Sequence, residues 1–375
     1  MRILHLCLAC FYIDDYSYQE NLLPKFHKRI GHDVKIIAST VSFDGVGKLI
    51  SHNKYSNYVS SDNINVVRLP YFFNNKIARL LRFYKGLYAE IEAFQPDVIF
   101  IHGGQFLDLY TVKRYFLKNQ NIDIYIDNHA DEINSVKGFL SKNILHKIIW
   151  KTVIKKFSKY VKKFYGVSEG RSQFLVDYYD ISPEKVFTLQ MGVDDDFVDK
   201  VYDKAALRKK LNIEEEDFVF ITGGKFDRLK NIDILIESFS TLDQKYKLIV
   251  FGVFDSETKY LLDNLPSNII FVGWKGQEEI FDLLSISNCA IFLGTHSVLW
   301  EQILGFGLPA IFKYWKGFEH LYQYDSVITL NDMSKSDVIL EMKNMINNYD
   351  LLNKCAEINK KQFSYKEIAV KSIEI

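Results

Sequence analysis

The chain has 375 residues, with 47 basic against 47 acidic side chains, so it is long enough for two buried cores and has no formal net charge. Its 48% hydrophobic and 25% charged content is that of a folded globular protein, which excludes a disordered chain. Four cysteines are too few for a disulfide scaffold at this length, and no apolar run approaches the ~18–20 residues that a membrane-spanning helix needs.

The opening MRILHLCLACF runs into YIDDY without a small-residue cleavage site, and reads as a buried first strand rather than a signal peptide. Cys7 and Cys10 form a C-x-x-C with no second pair, read as two half-buried thiols in a reducing, cytoplasmic setting. Short apolar runs then alternate with amphipathic stretches. RILHLCLA, DVKIIAS, NVVRLP, DVIFIH, IDIYIDN, KKFYGVS and KVFTLQ are the predicted strands of the first half. DFVFITGG, YKLIVFG, NIIFVGW, NCAIFLG, LPAIF and DSVITL are those of the second. Such β-α-β alternation predicts α/β architecture with two doubly wound parallel sheets. Residues 1–190 hold 26 Lys and Arg against 18 Asp and Glu, leaving 21 against 29 for the rest, so a basic first half meets an acidic second half. The charged stretch 193–217 is expected to connect two domains, 1–195 and 196–375, with the extreme C-terminal helix allowed to pack back on the first.

Parallel sheets bind ligands at the carboxyl ends of their strands, where loops and helix N-termini converge. GTHSVLWEQILG (294–305) is a loop and helix following the strand NCAIFLG. Ser297 is the expected N-cap, with Val298 beside it, and Glu301 lies about one turn in, where a carboxylate can take two ribose hydroxyls. TGGKFDRLKN (222–231) also follows a strand. There Gly223 and Gly224 permit close backbone approach, and Lys225 and Lys230 can reach a diphosphate as point charges.

These segments resemble, in order and over nearly the whole chain, the retaining glycosyltransferases of family 4 (group 1), which have the GT-B fold. GHDVKIIAS (31–39) is similar to the second strand of the acceptor domain. VSEGRSQFLVDYYDISPEKVFTLQMGVDDDF (167–197) resembles the passage ending in Asn-Gly-Val-Asp, with Met191 in place of the Asn. GGKFDRLKNIDILIESF resembles the diphosphate-binding segment, and VLWEQILGFGLPAIF the helix with the second glutamate of a Glu-seven-residues-Glu motif. The resemblance implies two Rossmann-like domains facing across a cleft, a nucleotide-sugar donor (UDP-linked in preference to GDP-linked), no cofactor and no metal. It implies Glu301 as ribose ligand, and Lys225 and Lys230 on the leaving diphosphate. Leu293 stands where the first glutamate of the motif belongs, and His296 is expected to take over part of its contact with the donor sugar.

In the family a histidine after an acceptor-domain strand reaches the transferred sugar. His129, in IDNHADEINS, fits that place, and His102 is the weaker candidate. DDYSYQENL (14–22) is expected over the acceptor. The implied reaction moves a hexose or related sugar to an acceptor hydroxyl, with His129, Lys230 and Glu301 as catalytic residues, in bacterial surface polysaccharide or glycolipid synthesis. Residues 142–164 carry eight lysines and no acid, with Ile144, Ile148, Val153, Phe157, Val161 and Phe164 at helical spacing. They read either as a solvated helix packed on its own sheet or as a membrane-surface helix, the latter suiting a peripheral enzyme on the inner membrane face with a glycan or lipid-linked glycan acceptor. No nucleic-acid-binding module accompanies the charge. The rival readings are a nucleotide-sugar epimerase and a non-catalytic nucleotide-sugar-binding partner of a glycosyltransferase.

Overall fold

The computed structural model describes every residue except 44–48, 52, 74, 132–134, 136, 137, 139 and 375. The chain divides into two units, Met1–Gln190 with Tyr365–Ile375, and Met191–Ser364. The second unit begins ahead of the expected boundary because Val193 already pairs there, its N–H donating to the Phe363 carbonyl at 2.8 Å. The stretch 193–217 is likewise part of that unit rather than a linker. It forms the helices Asp195–Val198 and Lys204–Lys210, and Phe197 stacks on Phe281 at 4.3 Å.

In the first unit the strand order is Val186–Thr188, Lys163–Gly166, Asp123–Asn128, Val98–His102, Arg2–Cys7, Asp33–Ser39, Asn65–Leu69 and Ser56–Val59. Only Ser56–Val59, which the sequence reading did not anticipate, runs antiparallel in this sheet. The sheet is buried on both faces. Leu4 and Leu6 enter one core cluster, whereas Ile3 and Cys7 face the other way, as the two-residue period of a strand requires. His5 shares that second face. The helices Gln19–Arg29 and Tyr365–Ser372 pack there on each other, with Phe26 and Tyr365 stacked at 6.2 Å.

The second sheet is wholly parallel, in the order Ile269–Gly273, Tyr246–Phe254, Phe218–Phe226, Cys289–Phe292, Ala310–Lys313 and Val327–Leu330. Val219 and Ile221 enter one core and Phe220 the other, so this sheet too is covered on both faces.

The lysine-rich stretch is not one helix. A π-helical run, Leu140–Trp150, passes into the helix Lys151–Phe157 and a 3-10 turn, and Lys163–Gly166 is a strand. Val153, Phe157, Val161 and Phe164 are buried in the unit's own core, leaving Ile144 and Ile148 as its exposed large apolar residues. Lys151 and Lys155 both bind Asp180 at 2.9 Å. Most of its apolar stripe is therefore scaffold.

Candidate functional site

In the second unit three successive carbonyls after the strand Cys289–Phe292 are held by side chains. Asn231 Nδ2 donates to Leu293 O at 2.6 Å, Trp315 Nε1 to Gly294 O at 2.7 Å and Lys230 Nζ to Thr295 O at 2.6 Å. Because each peptide is planar and trans, the N–H groups of Gly294, Thr295 and His296 turn away from those donors. The Lys230 stem lies directly beneath the loop: a Cβ on Gly294 would come within 2.5 Å of Lys230 Cα, so glycine is required there. Burial, the leading cause, lowers the Lys230 pKa, with Asp227 opposing it.

Glu301 follows on the helix Leu299–Phe306 and is fully buried. His296 Nε2 donates to its two carboxylate oxygens at 2.8 and 2.9 Å, and His320 Nε2 lies 3.5 Å away. The His296 ring stacks on Phe318 at 4.1 Å. Burial pushes the Glu301 carboxyl up, but His296 and His320 outweigh it and hold it down to about 2.

In the first unit a second buried carboxylate, Asp127, ends the strand Asp123–Asn128. Its Oδ2 receives His102 Nδ1 at 2.7 Å and Gln19 Nε2 at 2.9 Å, and its Oδ1 receives the Gly103 N–H at 3.1 Å. His129 Nε2 lies 3.4 Å from Oδ1. His129 also lines a cavity of about 330 Å³ with Cys10, Arg82, Gln105, His146 and Trp150. His102, Asp127 and His129 place ligand atoms within 4.8 Å of one another. Each of those carboxylate oxygens already accepts an N–H, and both ring nitrogens of His102 are engaged, so hydrogen bonds account for the close approach of His102 and Asp127.

The sequence family described as Glycosyltransferase Family 4 matches residues 18–197, and the one described as Glycosyl transferases group 1 matches residues 203–311. The chain belongs to the GT-B glycosyltransferases of the family 4, group 1 type. Solved structures of this fold align end to end. Anabaena Alr3699/HepE in complex with UDP has a TM-score of 0.67 at 13% identity, covering 99% of this chain and 98% of that one. WaaG, a glycosyltransferase involved in lipopolysaccharide biosynthesis, has 0.63 at 13%, covering 99% and 100%. The UDP-GlcNAc 2-epimerase of Neisseria meningitidis bound to UDP-GlcNAc has 0.64 at 12%, covering 100% and 99%. No curated protein matches the chain by sequence.

Seen as a glycosyltransferase, the chain departs from several expectations for single residues. Gly223 does not open the backbone to a ligand: a Cβ there would strike the Phe251 ring at 2.2 Å, so it is a packing glycine. Gly224, at φ +133°, faces open space, and Lys225 beside it is exposed. Ser297 is not the cap. Val298 takes the N-cap position in helical conformation without a side-chain hydrogen bond, and Ser297 closes a turn by accepting the Trp300 N–H at 3.0 Å. His296 points its Nε2 at Glu301, which spends that nitrogen inside the protein. Leu293 is in the core at 2% exposure. His102 is buried, and Gln19 from the 14–22 segment reaches Asp127.

The sequence reading missed His5, His27, Asp127, His320 and Trp315. His5 and His27 carried a signal, since each is a polar residue on an otherwise apolar face of a strand or helix. Trp315 and His320 carried none, because only the folded loop brings them to Gly294 and Glu301.

Proposed function

We propose that the chain transfers a sugar from a UDP-sugar to an acceptor hydroxyl in the synthesis of a bacterial surface polysaccharide or glycolipid, with retention and without a metal. The observation that carries this reading is the 293–296 loop beside the Lys230 stem, whose three carbonyls are each held by a side chain so that each following N–H turns away from that donor. Backbone N–H groups arranged so bind diphosphate oxygens, and a cation nearby stabilises the departing charge. The acceptor oxygen attacks the anomeric carbon on the leaving-group face as its bond to the diphosphate breaks, and the hydroxyl proton passes to the departing phosphate oxygen. Glu301 takes the ribose edge once the His296 and His320 donors yield its oxygens, and His129 lines the acceptor-side cavity.

The test is a panel of nucleotide sugars, scored by thermal shift and by transfer to glycan acceptors in the presence of EDTA. Transfer from a UDP-sugar that survives EDTA supports the reading, and strict dependence on a divalent ion refutes the metal-free mechanism. One observation favours a second reading: Leu293 leaves no carboxylate at the sugar, and Glu301 is occupied by His296 and His320. A nucleotide-sugar-binding partner would show the thermal shift with no turnover, and an epimerase would convert the donor without acceptor.

Among the described residues no helix is long and apolar enough to cross a membrane. A peripheral contact is better placed on 72–85 than on 142–164. Phe72, Phe73, Ile77, Leu80 and Phe83 are exposed there, between 37% and 68%, alongside Lys76, Arg79, Arg82 and Lys85 and no acid. Leu80 and Arg82 also line the His129 cavity, so a lipid-linked acceptor would enter beside the surface that meets the headgroups. Each cation near an anionic surface contributes on the order of 1 kcal/mol. Reversing all of them should abolish flotation with anionic vesicles, and undiminished flotation removes the patch from the interface.

A further inference from the structure

Behind Asp127 the hydrogen bonds continue through the core of the first unit. His102 Nε2 lies 3.0 Å from His5 Nδ1, and His5 Nε2 lies 3.0 Å from His27 Nδ1. His27 Nε2 lies 3.0 Å from both the Ala369 carbonyl and Ser372 Oγ. All three rings and Asp127 are fully buried.

Both ends of this chain only accept. The Ala369 carbonyl has no proton, so its 3.0 Å contact with His27 Nε2 requires an N–H on that ring, and the Ser372 hydroxyl is accommodated by donating to the same carbonyl at 2.8 Å. At the other end Asp127 is a carboxylate. The chain has one link at each end and two between rings, and each link needs one proton. Three neutral imidazoles bring one proton each, which leaves one link short.

We propose that His27, His5 and His102 together hold one proton beyond three neutral rings, and that this buried charge keeps Asp127 ionised and lets it position His129 in the cavity. His5, His27, His102 and Asp127 are then positioning residues for the group that meets the acceptor. The excess proton resides on His102, next to the carboxylate. Burial, the largest influence, pulls His102 down, yet Asp127 together with Cys7 and Glu20 lifts it to about 9. Burial and the neighbouring rings lower His5 and take His27 down to about 3, so those two stay neutral. The charged or titratable groups that face the chain are Cys7 on its own strand, Glu20 and His32 at the helix Gln19–Arg29, and His129 with Arg171 behind it.

The proton count is independent of the transferase reading, whereas its kinetic consequence rests on it. The experiment is nitrogen-15 NMR of the histidine-labelled full chain at about pH 7.5, where an unperturbed histidine is mostly neutral. One ring among His5, His27 and His102, assigned by single substitutions, should have both nitrogens protonated, and three neutral rings there would overturn the proposal. His27→Phe removes the accepting end, so the two remaining links need only the protons of two neutral rings. The imidazolium should disappear, and its persistence in this variant would refute the count. His27→Gln can accept from His5 and donate to Ala369, so it should retain the imidazolium. If it does not, the count is again wrong. With a donor and acceptor in hand, His27→Phe should lower kcat on the order of ten- to a hundredfold with the donor KM unchanged, and His27→Gln should restore it. Unchanged kcat after loss of the imidazolium would end the positioning role, and absence of any transfer would refute the transferase reading while leaving the NMR result standing.

Discussion

Each unit has a fully buried carboxylate, Asp127 or Glu301, at or beyond the carboxyl end of a strand with two histidines against it. The two differ in what stands behind the histidines. Asp127 leans on His102, and through it on two further buried rings and a backbone carbonyl of the C-terminal helix. Glu301 leans on His296 and His320, which belong to a loop and a short helix, with side chains 6% and 3% exposed. A buried carboxylate stays charged only if a counter-charge and donors accompany it. The first unit supplies them from a strand end, His102, and a loop, His129, and the second from a loop, His296, and a short helix, His320.

Removing the carboxylates should break the symmetry most strongly. Asp127→Ala leaves a buried imidazolium without its partner and should cost about 3–5 kcal/mol of stability. Glu301→Ala should cost less, about 1–3 kcal/mol, because it removes a hydrogen-bond acceptor from two histidines rather than the partner of the proposed buried imidazolium. Its larger effect should be on nucleotide affinity. Denaturant unfolding and calorimetric titration with UDP measure the two quantities. Equal stability losses, or unchanged UDP affinity in folded Glu301→Ala, would erase the distinction.

Lys230 sharpens the comparison from the other side, since the Thr295 carbonyl rather than a carboxylate holds it. Its ammonium is therefore available for a developing negative charge. Lys230→Ala should lower turnover on the order of a hundredfold, as loss of a charge-stabilising donor does, with little change in melting temperature. Retained turnover would assign Lys230 to the loop's architecture alone.

The sequence foretold the scaffold better than the sites. Every apolar run named as a strand is one, because a sheet covered on both faces writes a continuous hydrophobic signal. The antiparallel edge Ser56–Val59, with its alternating exposure, wrote only a weak one. Glu301 and Lys230 were legible because each sits at a fixed spacing from a strand end. The interactions that define their chemistry were not. His320 reaches Glu301 and Trp315 reaches Gly294 across loops whose path no local pattern encodes. Gly223 misled for a related reason, since the ring that excludes a side chain there belongs to Phe251 on the neighbouring strand.

The smallest expected effect is the most selective. His102 has its pKa raised to about 9 from an ordinary 6.5, so its contribution is complete below 6.5 and is lost as pH rises through 9. The loss should be on the order of 1 kcal/mol per pH unit between about 7 and 9, counted once because the proton is shared with Asp127. Glu301, depressed to about 2 from 4.5, works in the opposite window: its contribution is complete above 4.5 and is lost as pH falls through 2. Mild alkali should therefore loosen the first unit while sparing the second. Hydrogen exchange should accelerate in Gln19–Arg29 and Tyr365–Ser372 beyond the intrinsic rise with pH, and Leu299–Phe306 should follow the intrinsic rate alone. In Asp127→Asn, where the neutral amide no longer calls for a buried proton, that excess acceleration should vanish. An excess that persists in the variant would place the alkaline sensitivity elsewhere in the unit.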